Sequence, residues 1–387
     1  MRIDLHVADG SVSTTQTMAG QPAVAASVGM TLEQLQRNYN AIVQSKAIYY
    51  PVAYQFLREI GRGRQGQVFL GLRHGARGCI TEHAIKVFTP DLYRSPEEYW
   101  TDMGRIAFQV SKLQRMHGPN LVWTSLYEET YGIGYVQMEA IDGVDLSRLL
   151  QNDHLEIARK RMTGREWNRL VKPLFRIEGD RLCMQPGFVV YMMRGALRGL
   201  ERLHDMGFLH SDVKPGNIML DRLGGVKLVD FGRAVQINES LAFLLGSPLY
   251  MAPECHRRKP SDIRSDLYSL GLVAIELLRG EPVAQRSGLT EEQLVQIKQF
   301  LPGRLQDMLP PYVASNRELM QILRRFVEPD PDARFASARE AEVGSQGLLV
   351  IEKQLVQANL DTEYERDLAD YLNRLVDPKT NRIELPE

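Results

Sequence analysis

The stretch Phe208-Leu209-His210-Ser211-Asp212-Val213-Lys214-Pro215-Gly216-Asn217 is followed, thirteen residues after Asn217, by Asp230-Phe231-Gly232. Two apolar runs, Ile218-Met219-Leu220 and Val226-Lys227-Leu228-Val229, separate the polar groups and read as short strands. A carboxylate, an ammonium, an amide and a second carboxylate are therefore carried on two loops joined by a hairpin. Each alone would pass for a turn residue; their joint spacing makes that reading a poor one. Chemistry, if any, is concentrated here.

Upstream, Gly61-Arg62-Gly63-Arg64-Gln65-Gly66-Gln67-Val68 lies between two strand-like runs. Glycines at Gly61, Gly63 and Gly66 let backbone amides approach phosphate without a Cβ in the way. A dinucleotide-binding turn would need a helix to start here, but Gln67-Val68-Phe69-Leu70 reads as a strand. No Gly-Lys-Ser/Thr follows, so a Walker A loop fails too. In Ala84-Ile85-Lys86-Val87-Phe88 the ammonium of Lys86 sits among apolar strand residues, where an unpaired charge is costly.

Taken together, these motifs resemble the eukaryotic-type serine/threonine protein kinases, over roughly residues 52 to 342. The resemblance implies an α+β, two-lobed fold. Its small lobe (about 52–139) holds a five-stranded antiparallel sheet and one main helix; its large lobe (about 143–343) is mostly helical. It implies ATP and Mg²⁺ (or Mn²⁺) as cofactors and a protein substrate with a Ser/Thr acceptor. Asp212 would be the base, Lys214 would offset charge on the transferred group, and Lys86 would reach the α- and β-phosphates. Asn217 and Asp230 would hold metal. Val68 and Ala84 would wall the adenine, Met138 would set pocket depth, and backbone groups of Glu139 and Ile141 would bond the adenine edge. Met219 is placed in the same nucleotide site. Asp145 would accept from a ribose hydroxyl, with helix capping as its alternative.

Further along, Gly246-Ser247-Pro248-Leu249-Tyr250-Met251-Ala252-Pro253-Glu254 resembles the family's substrate-facing loop. Ser247 would bond both Asp212 and Lys214, and Glu254 would pair with Arg334. Asp266 would accept backbone amides of the catalytic loop. His210 and Phe231 read as packing residues. Small-molecule phosphotransferases of related fold generally lack the Glu254 and Arg334 arrangement.

Two departures carry weight. Serine stands at 211, where the family usually has an arginine that meets a loop phosphate, which removes the commonest ordering switch. Between Gly232 and Ser247, Ser240 is the sole hydroxyl, so its phosphorylation is expected to be dispensable. Counting back from Pro119-Asn120 puts Gln109 where the helix glutamate that pairs Lys86 should stand. A neutral amide can accept from Lys86 but cannot offset its charge. Another acid must then supply the pairing, Asp230 being the nearby one, or activity is reduced. A pseudokinase that binds nucleotide or a partner without transfer is the alternative reading.

The rest of the chain frames this region. Its 387 residues allow a two-lobed domain plus extensions, and a net charge of -1 does not call for nucleic acid. Three distant cysteines, Cys79, Cys183 and Cys255, fit a reducing compartment. No apolar run approaches the ~20 residues of a membrane span, and no secretory signal is visible, so a cytoplasmic location is expected. Residues 1–30 read as a flexible arm. Residues 31–51 form a helical extension capped by Thr31 with Gln34, its stripe being Leu32, Leu35, Tyr39, Ile42 and Val43. Ser95-Pro96 opens a long helix over 96–116. A basic insertion over about 153–180 reads as helix and loop. Its cations Arg159, Lys160, Arg161, Arg165, Arg169, Lys172 and Arg176 read as a solvated face at the edge of the large lobe, with a docking surface for an acidic or phosphorylated partner as the alternative. Residues 344–387 form a helical extension interrupted at Asp361-Thr362, which either folds back or pairs with another chain.

Overall fold

The computed structural model describes residues 29–49, 51–237, 246–258, 262–284, 288–357, 363–383 and 385. The arm expected over 1–30 lies almost wholly outside the described residues, as do Ser240 and the Asp361-Thr362 break. In chain order the first half runs α1 (Leu32–Ser45), β1 (Ala47–Ile48), β2 (Tyr54–Gly63), β3 (Gly66–His74), β4 (Ile80–Phe88), α2 (Pro96–Leu113), β5 (Thr124–Thr130) and β6 (Ile133–Glu139). The sheet is antiparallel with strand order β1-β2-β3-β4-β6-β5. Five of these strands match the expected sheet. The sixth, β1, is two residues long and too short to leave a periodic signal.

Both expected N-caps are present. Thr31 Oγ1 accepts from Gln34 N–H while the Gln34 side chain accepts from Thr31 N–H. Ser95 Oγ accepts from Glu98 N–H ahead of Pro96 at the start of α2. Leu35, Tyr39 and Ile42 of α1 are buried against the small-lobe core with Phe56, Phe69 and Val87. Asn38 also donates to Tyr131 O at 2.9 Å. The turn there is Tyr131-Gly132, and a Cβ on Gly132 would lie 2.9 Å from Leu35 Cδ2. Close approach of α1 thus requires the glycine.

The large lobe follows as β7 (Gly143–Asp145), α3 (Leu146–Leu149), α4 (Asp153–Arg161), α5 (Gly164–Leu170), β8 (Phe175–Glu178), β9 (Arg181–Met184) and α6 (Pro186–Asp205). Next come β10 (Phe208–Leu209), β11 (Ile218–Asp221), β12 (Val226–Leu228), β13 (Val235–Gln236), α7 (Pro253–His256), α8 (Ile263–Arg279) and α9 (Glu291–Met308). The chain closes with α10 (Pro311–Ala314), α11 (Arg317–Phe326), α12 (Ala338–Val343), α13 (Leu349–Gln357), α14 (Tyr364–Leu375), β14 (Val376–Asp377) and β15 (Arg382–Ile383). Helices α6 and α8 bury most of their length and centre the large core.

The basic insertion differs from the expected helix and loop. After α4 and α5 it forms a β8–β9 hairpin, paired from Phe175↔Met184 to Glu178↔Arg181. Gly179, at φ +62°, makes the two-residue turn with Asp180. The alternation Phe175-Arg176-Ile177-Glu178 carries that signal, but it is brief and embedded in charge. Several of its cations are paired with acids or carbonyls. Arg169 pairs with Asp370 at 2.8 Å, and Arg176 pairs with Glu178 at 2.6 Å. Arg161 donates to Val376 O at 2.7 Å, and Arg374 of α14 reaches back to Glu166.

The C-terminal extension folds back. Leu368, Tyr371, Leu372 and Leu375 of α14 join the large core. His154 Nδ1 bonds the Tyr371 hydroxyl, and its Nε2 lies 3.0 Å from Leu149 O. Beyond α14, Arg222 donates to Asn373 and Asn381, and Ile383 N–H donates to Asp142 Oδ1 at 3.3 Å. Arg382 then pairs with Glu82 on β4, so the last hairpin spans from the large lobe to the small one. Among the described residues, no helix is long and apolar enough to cross a membrane.

Candidate active site

Sheet pairing builds the small-lobe half. In the β3–β4 register Val68 faces Lys86, and in the β4–β6 register Ala84 faces Met138. Val68, Ala84, Lys86 and Met138 are thus brought together by strand geometry alone. Gly66 is needed for this: at φ +142°, a Cβ there would lie 1.9 Å from Val87 O. A Cβ on Gly63 would meet nothing, which leaves open space at the turn. Glu139 N–H donates to Trp123 O at 2.8 Å, and its carboxylate takes Lys227 at 2.5 Å. Ile141 packs against the large core beside it.

Across the cleft, β11 pairs with β12 on one side and β7 on the other, which sets Met219 opposite Asp145. Asp145 caps α3: its Oδ1 accepts from Ser147 N–H at 2.9 Å and Arg148 N–H at 3.2 Å. Helix capping, the alternative expected for Asp145, is present in these contacts.

The catalytic-loop residues converge. Lys214 Nζ lies 2.8 Å from Asp212 Oδ2. Asn217 Nδ2 donates to Asp212 O at 2.8 Å and to its Oδ2 at 3.2 Å. Ser247 Oγ donates to Asp212 Oδ1 at 2.8 Å and accepts from Lys214 at 3.4 Å, the double contact expected of it. Asp266, buried, accepts from His210 N–H at 2.8 Å and Ser211 N–H at 2.9 Å. Those bonds hold Ser211 at φ +63°, a backbone conformation that non-glycine residues rarely adopt. His210 packs edge-on to Phe231 and bonds Val229 O at 3.1 Å.

Asp230 is the hinge of the electrostatics. Its Oδ1 lies 2.5 Å from Lys86 Nζ. Burial works against the charge on Asp230, but Lys86 overrides it and holds the carboxyl down at about 2. Lys86 also donates to Gln65 Oε1 at 3.1 Å, from the tip of the glycine turn. Gln109 is buried beside Lys86 in a pocket with Phe88, Met138 and Phe231. It does not bond Lys86: its Nε2 donates to Ala234 O, and its Oε1 has no hydrogen-bond partner among the described residues.

Sequence reasoning missed several contacts. Arg105, one turn before Gln109 and on the same face of α2, donates to Gly232 O at 3.1 Å and Ala234 O at 3.3 Å. Its i−4 spacing from Gln109 was the available signal. Gln65 gave none, because only the folded turn brings it to Lys86. Tyr250 OH donates to Glu276 Oε2 at 2.5 Å, tying the loop before α7 to α8. The expected Glu254–Arg334 pair is bidentate, at 2.7 and 2.8 Å.

A two-lobed α+β architecture with a glycine turn, a strand lysine and an Asp-Lys-Asn loop facing an Asp-Phe-Gly segment is a protein-kinase-like fold. The chain belongs to the protein kinase domain family, which matches residues 54–342. It is 30% identical over 233 residues to the serine/threonine-protein kinase ste20 of Aspergillus fumigatus, covering 59% of this chain and 24% of that protein. It is 28% identical over 308 residues to a probable serine/threonine-protein kinase of Streptomyces coelicolor, covering 76% of this chain and 40% of that one. The chain thus spans well under half the length of these relatives. The PknI kinase domain of Mycobacterium tuberculosis shares the fold, with a TM-score of 0.51 at 24% identity over 76% of this chain and 94% of that one.

Proposed function

We propose that the chain transfers the γ-phosphoryl group of ATP to serine or threonine hydroxyls of proteins. The observation that carries this reading is the hydroxyl of Ser247, held at 2.8 Å by Asp212 with Lys214 at 3.4 Å. An acceptor hydroxyl presented the same way would give its proton to Asp212 as its oxygen bonds the γ-phosphorus. The bond from that phosphorus to the β–γ bridging oxygen breaks, and ADP leaves. Lys214 offsets the charge on the group in transit.

Asn217 and Asp230 are an oxygen-ligand set suited to Mg²⁺, which keeps waters and phosphate oxygens as its other ligands. When bound, Mg²⁺ (or Mn²⁺) would neutralise phosphate charge. Asp230 is ionised throughout the physiological range, as a metal ligand must be. Lys86 would exchange Gln65 for phosphate oxygens, and the open space at Gly63 leaves room for their approach. Val68, Ala84, Met138, Met219 and the backbone of Glu139 and Ile141 line the adenine side in this reading, with Gly61, Gly63 and Gly66 over the phosphates.

One observation favours the pseudokinase alternative: Gln109 leaves Lys86 without the helix carboxylate. The Lys86–Asp230 pair supports activity instead, by supplying a carboxylate from another loop. The Glu254–Arg334 pair supports a protein rather than a small-molecule acceptor. Recruitment of an acidic partner through the basic segment has less support, since Arg161 and Arg169 already face α14. Nucleotide-induced thermal shifts separate the roles: Asp212→Asn should keep the Mg-ATP shift and lose turnover, whereas Asp230→Ala should lose the shift itself. Equal loss of both properties in Asp212→Asn would contradict its role as base.

A further inference from the structure

Lys298 is fully buried, at 0% exposure, on the inward stripe of α9. That stripe reads Leu294, Lys298, Leu301, Leu305, so an ammonium stands where helical periodicity calls for a leucine. Among the described residues, none of its hydrogen-bond partners is a carboxylate. Nζ donates to Pro248 O at 2.6 Å and Met251 O at 2.7 Å, and it lies 2.9 Å from His256 Nε2. Burial pushes the Lys298 amine down to about 7, so what fixes it here is its hydrogen bonds to the two carbonyls. His256 is held down at about 4 by burial and then by Lys298, so its ring stays neutral, and its Nε2 lies 3.1 Å from Pro248 O as well as 2.9 Å from Lys298 Nζ.

The two carbonyls belong to the loop that begins at Ser247, whose hydroxyl touches Asp212 and Lys214. Met251 N–H also bonds Ser247 O at 3.1 Å, closing the loop on itself. The route from α9 to the catalytic carboxylate is therefore Lys298, Pro248 O, Ser247, Asp212. We infer that Lys298 is a positioning residue that holds the Ser247–Met251 loop in the shape that receives the protein acceptor. The inference rests on the kinase reading for its effect on turnover, but the loop geometry stands without it.

Leucine in this place would take the Lys298 donor from Met251 O and leave Pro248 O with only His256 Nε2, at 3.1 Å. The loop would then relax to regain partners, disturbing the acceptor site and leaving the nucleotide cleft alone. That asymmetry is what separates positioning from plain core packing.

The test compares wild type with Lys298→Met, which keeps stem length and volume but removes every donor, and with Lys298→Gln, which restores an amide donor. Backbone hydrogen exchange over residues 248–256 is measured together with kcat and with KM for a basic protein acceptor and for Mg-ATP. Lys298→Met is expected to speed exchange in that segment by about tenfold and to raise KM for the acceptor by about tenfold. KM for Mg-ATP should change less than about twofold, and Lys298→Gln should fall between. If wild type transfers no phosphate, the kinase reading fails, while exchange still decides the loop assignment. Unchanged exchange, an equal rise in both KM values, or loss of fold in both variants would each overturn it.

Discussion

Lys86 Nζ and Asp230 Oδ1 lie 2.5 Å apart, joining residues 144 positions apart in the chain across the cleft between the lobes. Gln109 sits beside this pair but turns its amide away, to Ala234 O. The strand lysine of this protein is therefore neutralised from the large lobe instead of from helix α2.

Gln109→Glu tests that arrangement. The variant places a carboxylate in the pocket with Lys86 but loses the donor to Ala234 O. Because Asp230 already offsets Lys86, kcat/KM for Mg-ATP is expected to stay within about threefold of wild type. Steady-state phosphate transfer measures it. A tenfold gain would mean that the missing helix carboxylate limits turnover.

Arg105 adds a second tie from α2 to the segment that Gln109 already bonds. Arg105→Ala removes charge-assisted bonds to Gly232 O and Ala234 O, next to Asp230. KM for Mg-ATP should rise by about tenfold, equivalent to about 1.4 kcal/mol, with Arg105→Lys between the two. Isothermal titration with a non-hydrolysable nucleotide and Mg²⁺ reads the corresponding loss of affinity, as Kd, without turnover. An unchanged affinity would leave Arg105 with only its pair to Asp102 on α2, at 2.8 Å.

The Glu254–Arg334 pair is a stability element. The Arg334 side chain is fully buried, bonds Glu328 O at 2.7 Å as well as Glu254, and stacks on Tyr268. Removing one partner strands the other charge, so Arg334→Met should cost about 3–5 kcal/mol in urea unfolding. A loss below about 1 kcal/mol would contradict a desolvated pair.

Acid should loosen the contact between α4 and α14. Burial pushes His154 down to about 4, below its ordinary value of 6.5. Between these values the unfolded chain binds a proton that the folded chain refuses, so stability is present above pH 6.5 and falls as pH drops toward 4. The change is about 2–3 kcal/mol from this ring. Urea midpoints from pH 7.5 to 4.5 follow it, and His154→Gln should be less stable at pH 7.5 but flatter with pH. An equally steep wild-type and variant profile would place the acid sensitivity elsewhere.

Local spacing made much of the site legible. Asp212, Lys214 and Asn217 share one loop, and Asp230 follows by a single hairpin, so sequence order nearly fixes their proximity. Ser247, Glu254, Arg334 and Asp266 were placed by the same resemblance, and each contact is present. What escaped depends on distant surfaces meeting. Gln65 reaches Lys86 only after β3 pairs with β4, and Lys298 reads as an ordinary surface lysine unless its stripe neighbours are known to be buried. The β8–β9 hairpin was lost for another reason: four residues of alternation amid arginines give period-two patterning little room. Residues 364–383 look equally able to pair with a second chain; only the partners offered by His154, Arg222 and Glu82 decide that they fold back.

The central claim is transfer with Asp212 as base. The most direct measurement is incorporation of labelled γ-phosphate by the purified full chain with Mg²⁺ or Mn²⁺, into itself and into a basic protein acceptor, beside Asp212→Asn. Incorporation by wild type that falls by about a thousandfold in Asp212→Asn, with its Mg-ATP thermal shift retained, is the predicted result. Tight Mg-ATP binding with no incorporation by wild type, or undiminished incorporation by Asp212→Asn, would contradict it.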